Sequence, residues 1–189
     1  MKQIFKATLV AALVLGAVSA QAAQNATLDI SGKIVKSSCD VAIGNNNLDL
    51  GTWIPADFTI GTPLAASTKT ATVAFANCTG EDLAAGDSLT MLLEPVTQDS
   101  ALAASGLWGE GAVENVGIEL KATTGVVPVA QTLTPTANDI AIYTAGGSTE
   151  SVSGLTIAPA KIAATLKNTA VITTYGKVKS SVVVSAFYE

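Results

Sequence analysis

The last fourteen residues read Gly176-Lys177-Val178-Lys179-Ser180-Ser181-Val182-Val183-Val184-Ser185-Ala186-Phe187-Tyr188-Glu189. Val178, Val182, Val184, Ala186 and Tyr188 share one parity, broken only by Ser180, while Val183 and Phe187 hold the other. A period of two marks a strand, because successive side chains leave the pleat on opposite faces. Apolar residues at both parities predict a strand, Val178–Tyr188, buried on both sides and placed within the core.

Working back along the chain, the same period recurs in short runs. Strands are predicted at 48–53, 68–77, 88–96, 116–122, 126–133, 140–144, 154–158 and 161–166. Val, Ile and Thr dominate them, as a half-buried pleated surface prefers. Turn clusters such as Gly44-Asn45-Asn46-Asn47, Thr79-Gly80-Glu81-Asp82 and Ala145-Gly146-Gly147-Ser148 separate the runs. Many short strands with regular punctuation predict an all-β sandwich or barrel in one domain. The Ala- and Ser-rich stretch 98–106 reads equally as a short helical turn or an irregular loop.

At the other end, Lys2 and Lys6 precede an apolar run from Ala7 to Val18 and the small residues Ser19-Ala20-Gln21-Ala22-Ala23. This is the layout of a secretory leader, residues 1–22, cut after Ala22. The run is 12 residues long, short of the roughly 20 that a membrane-spanning helix needs. Removing the two leader lysines takes the formal net charge from −5 to −7. No Cys follows the predicted cut, so no lipid anchor is expected. Just beyond it, Ala26, Leu28, Ile30, Gly32 and Ile34 alternate, an apolar face that needs a partner because terminal segments otherwise fray.

Export places Cys39 and Cys78, the only two thiols in the sequence, where disulfides persist. A structural disulfide is predicted. Two Cys without His do not complete a zinc site of the usual kind, and their spacing is not that of a redox C-x-x-C motif.

Composition argues against catalysis. His and Arg are both absent, removing the commonest general base and metal ligand and every bidentate carboxylate or phosphate clamp. A pI near 4.6 opposes nucleic-acid binding, which needs a basic stripe. Lys179 and Ser180 would point to opposite faces of a strand and form no dyad. Glu81-Asp82 reads as two solvated acids in a turn. Gly109-Glu110-Gly111 lacks the third glycine and the context of a dinucleotide loop. Trp53 and Trp108 are core or edge packing residues first, and a sugar-binding platform only in a minority reading. No catalytic residue, cofactor or metal is expected.

The segment Thr27-Leu28-Asp29-Ile30-Ser31-Gly32-Lys33-Ile34-Val35-Lys36-Ser37-Ser38-Cys39-Asp40-Val41 resembles the start of type 1-like fimbrial subunits of the chaperone–usher pathway. The C-terminus resembles them independently: Gly176 stands fourteenth from the end, alternating apolars follow, and the penultimate residue is the aromatic Tyr188. Cys78 after Val73-Ala74-Phe75-Ala76-Asn77, and the run Ile162, Ala164, Leu166, agree with the same pattern. The resemblance implies an incomplete immunoglobulin-like β-sandwich lacking its last strand. A periplasmic chaperone, and then the N-terminal extension of a neighbouring subunit, would supply that strand by β-strand addition.

Carried over residue by residue, Leu28, Ile30, Gly32 and Ile34 would be donor residues, with Gly32 where a pocket admits no side chain. Gly176, Val178, Val182, Val184, Ala186 and Tyr188 would belong to the acceptor and chaperone-binding strand. The implied layout is a leader at 1–22, a donor extension at about 23–35 and a pilin domain at 36–189. Expected partners are identical or related subunits, the chaperone and an outer-membrane usher, and the destination is a cell-surface fimbria supporting adhesion. The Ala- and Thr-rich, weakly charged composition favours the major shaft subunit. The alternatives are a monomeric secreted carbohydrate- or protein-binding sandwich and, more remotely, a hydrolase using carboxylates alone.

Overall fold

A computed structural model describes residues 33–189 of the chain. Eight strands carry the fold: β1 (Ser37–Ile43), β2 (Lys69–Gly80), β3 (Ser88–Pro95), β4 (Val116–Thr123), β5 (Gln131–Leu133), β6 (Asp139–Thr144), β7 (Ala160–Asn168) and β8 (Val182–Tyr188). They form one sheet in the order β5-β4-β7-β2-β1-β8-β3-β6, with every neighbour antiparallel. The hydrophobic period dictates which face turns inward. Ala71, Val73 and Phe75 of β2, Leu89, Met91 and Leu93 of β3, and Ile118, Leu120 and Ala122 of β4 are buried. Ile162, Ala164 and Leu166 of β7 meet them in one core.

The sheet rolls over that core. Thr124, just after β4, donates its Oγ1 hydrogen to the carbonyl of Ala141 in β6 at 2.7 Å, although those strands lie near opposite ends of the sheet order. Trp108 is completely buried, and its indole N–H donates to the Leu133 carbonyl at 2.8 Å. The result is an all-β fold in which one antiparallel sheet wraps a single hydrophobic core. Cys39 of β1 and Cys78 of β2 are joined by a disulfide beside the point where the β1–β2 register shifts, between Ser38 and Asp40.

Several local expectations need correction. Residues 48–53 form no strand: the Asp49 carboxylate accepts from the Gly51 N–H, and the Trp53 indole donates to the Leu50 carbonyl. These local bonds, with Gly51 at φ +89, compete with a ladder. Only Gln131–Leu133 of the run 126–133 is strand. A tight turn between Thr124 and Val127, followed by Pro128, occupies the rest. Residues 154–158 leave a 3₁₀ turn, Val152–Gly154, and run up to Pro159 without pairing. The stretch 98–106 holds a short helix, α1 (Ser100–Ala104), capped by Asp99, whose carboxylate accepts from the N–H groups of Ala101 and Leu102. The C-terminal strand begins at Val182 rather than Val178, and it is not buried on both sides: Ala186 alone is buried and Val183 is 53% exposed.

Candidate functional site: the open edge of the C-terminal strand

β8 lies between β3 and β1 in the sheet, yet its two neighbours hold it very differently. Against β3 it pairs from Val182 to Phe187 without a break. Against β1 it pairs only at Ser37↔Tyr188 and Ser38↔Phe187, after which β1 continues along β2 alone. The Ser181 carbonyl accepts from Val96 N–H, and the Tyr188 carbonyl accepts from Lys36 N–H. Because backbone polar groups alternate in direction along a strand, those of Val182 and Val184 point away from β3. No strand among the described residues pairs with them there. Val178 and Ser180 extend this row without a backbone hydrogen bond among the described residues.

The side chains of that row face the core margin. Ala186 is buried at 3% exposure, while Val178, Val182, Val184 and Tyr188 are half-buried against the core. Val41, Leu48 and Leu50, from β1 and the loop after it, are likewise half-buried against the core. Ser180 is the polar exception, its hydroxyl buried without a hydrogen-bond partner. The combination is an unpaired backbone edge beside incompletely covered apolar side chains, which is the receptive state for an added strand.

The acceptor residues expected from sequence therefore form one row, except Gly176, which lies in the exposed loop before it. A Cβ there would meet the Val113 methyl at an ordinary 3.5 Å. Of the donor residues, Leu28, Ile30 and Gly32 lie outside the described residues, and Ile34 is 99% exposed.

Sequence reasoning did not find the polar clasp at the end of the row. Tyr188 donates its hydroxyl hydrogen to the Asp87 carboxylate at 2.6 Å, and the Lys36 ammonium sits 4.7 Å from the Tyr188 ring centroid. The Tyr188 hydroxyl and then the Ala84 N–H hold Asp87 below its ordinary value, and the same bond raises Tyr188. Behind the clasp, Ser37 is buried and donates its hydroxyl hydrogen to the Glu81 carbonyl at 2.6 Å, while Glu81 N–H donates to the Lys36 carbonyl. Lys36 and Asp87 are separated in sequence by about fifty residues of β1, loop and β2, so no local pattern flags them.

The sites considered for other chemistry are otherwise engaged. Trp108 is inside the core and presents no surface to a sugar; Trp53 packs against the core with its N–H used. Lys179 pairs with Glu110 at 3.2 Å while the Ser180 hydroxyl is buried. No group of three metal-ligating side chains occurs among the described residues.

A family model of fimbrial proteins matches residues 28–189, and the chain belongs to the fimbrial protein family. That family is structural and adhesive rather than enzymatic, and its members are subunits of extracellular fimbriae. Among solved structures, the chain is similar to the CupB6 tip adhesin from Pseudomonas aeruginosa, at 13% identity and a TM-score of 0.41. The similarity covers 82% of this chain and 43% of that one, so the chain spans less than half of the adhesin's length. No curated protein sequence matches the chain.

Proposed function

We propose that this chain is a shaft subunit of a surface fimbria that polymerises head to tail by donor-strand exchange and supports cell adhesion. The observation that carries the reading is the edge of β8, paired to β3 throughout but to β1 only at its last residues. An incoming strand gains main-chain hydrogen bonds along that edge and covers the half-buried Val178, Val182 and Val184. We assign the leader to 1–22, the donor extension to 23–35, with Leu28, Ile30, Gly32 and Ile34 inward, and the pilin domain to 36–189. In the periplasm a chaperone strand occupies the same edge before the usher delivers the subunit.

The register of β1 supports donation to a neighbour rather than to self. β1 runs antiparallel to β8, and Ser37 already lies opposite Tyr188. A chain continuing N-terminally along the β1 direction therefore runs past the end of β8, away from its own open edge. The contact is heterologous and does not close, so it builds an open fibre. Burying the aliphatic side chains of Leu28, Ile30 and Ile34 contributes roughly 5–9 kcal/mol per junction before hydrogen bonds and ordering costs. A donor extension also separates a shaft subunit from a tip adhesin, which has no subunit ahead of it to complete.

Deleting residues 23–31 tests this. The truncated subunit should still bind its chaperone and still accept a strand, yet fail to extend a fibre. A full mature subunit that purifies as a stable monomer with no added strand would sink the reading.

A further inference from the structure

The open edge of β8 has one closed end, and polar side chains, Lys36 and Asp87, gather there around the half-buried Tyr188. Lys36 N–H donates to the Tyr188 carbonyl at 2.9 Å, which consumes the backbone edge there. The Tyr188 ring is held by Asp87 on its hydroxyl and by Lys36 over its face. Lys36 is fixed from behind: its carbonyl accepts from Glu81 N–H, and a Cβ on Gly80 would lie 2.3 Å from that carbonyl oxygen. At the far end, by contrast, the row runs on through Ser180 and Val178 with no backbone partner among the described residues.

A strand added to an apolar groove has a register problem. A slip of one residue turns its apolar face to solvent, so that slip is strongly disfavoured; a slip of two keeps the face and is cheap. The candidate donor segment alternates through Leu28, Ile30, Gly32 and Ile34, so its own pattern resists one-residue slips far better than two-residue ones. A two-residue slip also carries Ile30 or Ile34 to the place assigned to Gly32, and a stop at the end of the groove adds to that steric penalty. We infer that Lys36, Asp87 and Tyr188 form a register stop, a clasp that ends the usable edge of β8 at Ala186 and so fixes how far the donor strand of a second copy can slide. Without the clasp the terminal Lys36–Tyr188 pairing frays, two further residues of β8 open, and the donor occupies a second register. These three are positioning residues for the junction; the apolar row supplies its affinity. The inference rests on the donor-strand reading above.

Cross-linking in assembled fibres separates the two. Ser31, on the outward parity of the donor, is replaced by Cys, with a second Cys placed at Ser181, Val183 or Ser185 in turn. All three are outward positions of the C-terminal row, spaced by two, and the native disulfide is kept. With the clasp intact, one of the three positions should give the intersubunit cross-link. In Tyr188→Phe and Asp87→Asn backgrounds the cross-link should spread to the neighbouring position, a two-residue shift toward Tyr188. Tyr143→Phe, which breaks the similar Tyr143–Glu150 bond on β6, should leave the single register untouched. One unchanged register in both clasp variants overturns the stop alone. No cross-link at any position with the clasp intact overturns the donor-strand reading itself.

Discussion

Tyr188 and Tyr143 each donate a hydroxyl hydrogen to a carboxylate, Asp87 and Glu150 respectively. Each bond holds its acid below the ordinary value, 3.8 for Asp87 and 4.5 for Glu150, and raises its tyrosine above 10.0. The unfolded chain therefore takes up protons on these acids before the folded one does. Their contribution is complete above about pH 4.5 and drains away as the pH falls through the lowered folded values. On the alkaline side, the raised tyrosines contribute below pH 10 and lose that contribution as the pH rises through their folded values. Urea midpoints at pH 6 and pH 3 should consequently converge in a Tyr143→Phe/Tyr188→Phe variant relative to wild type, and equal acid losses in the two proteins would contradict the assignment. Gly80 gives a second single-residue test. At φ +129, with a Cβ forced to within 2.3 Å of the Lys36 carbonyl and 2.6 Å of Ser37 Cα, Gly80→Ala should cost about 2–4 kcal/mol in urea unfolding. A loss below about 0.5 kcal/mol, the range of neutral surface changes, would mean the β1–β2 end is looser than described.

At the scale of elements, β1 is a hub, shared by β2 along its length and by β8 at one end. The disulfide staples it to β2 and closes a segment 39 residues long. The chain-entropy account puts that closure at about 4 kcal/mol, so a Cys39→Ala/Cys78→Ala variant should lose about that much by urea denaturation. Retention of wild-type stability would place the effect elsewhere. β1 is also the strand that the sequence pattern hid. Its inward parity is Ser37, Cys39 and Val41, and its most buried member is a serine that hydrogen-bonds the Glu81 carbonyl. Strands β2, β3, β4, β6 and β7 were legible because large aliphatic residues hold one parity through each of them. The run 48–53 has the same parity and no ladder, since apolar alternation reports burial on one side, and local Asp49 and Trp53 bonds decide the backbone. The buried and half-buried row Val182, Val184, Ala186 and Tyr188 was likewise legible from alternation in the last residues. The clasp was not, because Asp87 and Tyr188 meet across 101 positions and neither residue type is unusual where it stands.

For the whole molecule, the donor-strand proposal makes stability a matter of occupancy. A subunit whose edge is filled gains free energy by mass action, and the gain depends on how the occupant matches the row. A synthetic peptide spanning residues 24–35 supplied at about a hundred times its dissociation constant should stabilise the mature domain by about 2.7 kcal/mol. In a domain of this size each kcal/mol moves the melting midpoint by roughly 2–4 °C, so the shift should be roughly 5–11 °C. The gain has a required location: the amide groups of Val182 and Val184, which point away from β3, should become protected from hydrogen exchange, while β4 and β7, already paired on both sides, should gain only what global stabilisation confers. The same peptide carrying Ile30→Asp should lose most of the effect, because an unpaired carboxylate would enter an apolar site. A midpoint shift that survives that substitution, or protection that appears on β5 or β6 at the margins of the sheet instead of on β8, would show that the added strand finds another edge and that the row from Val178 to Ala186 is not the acceptor.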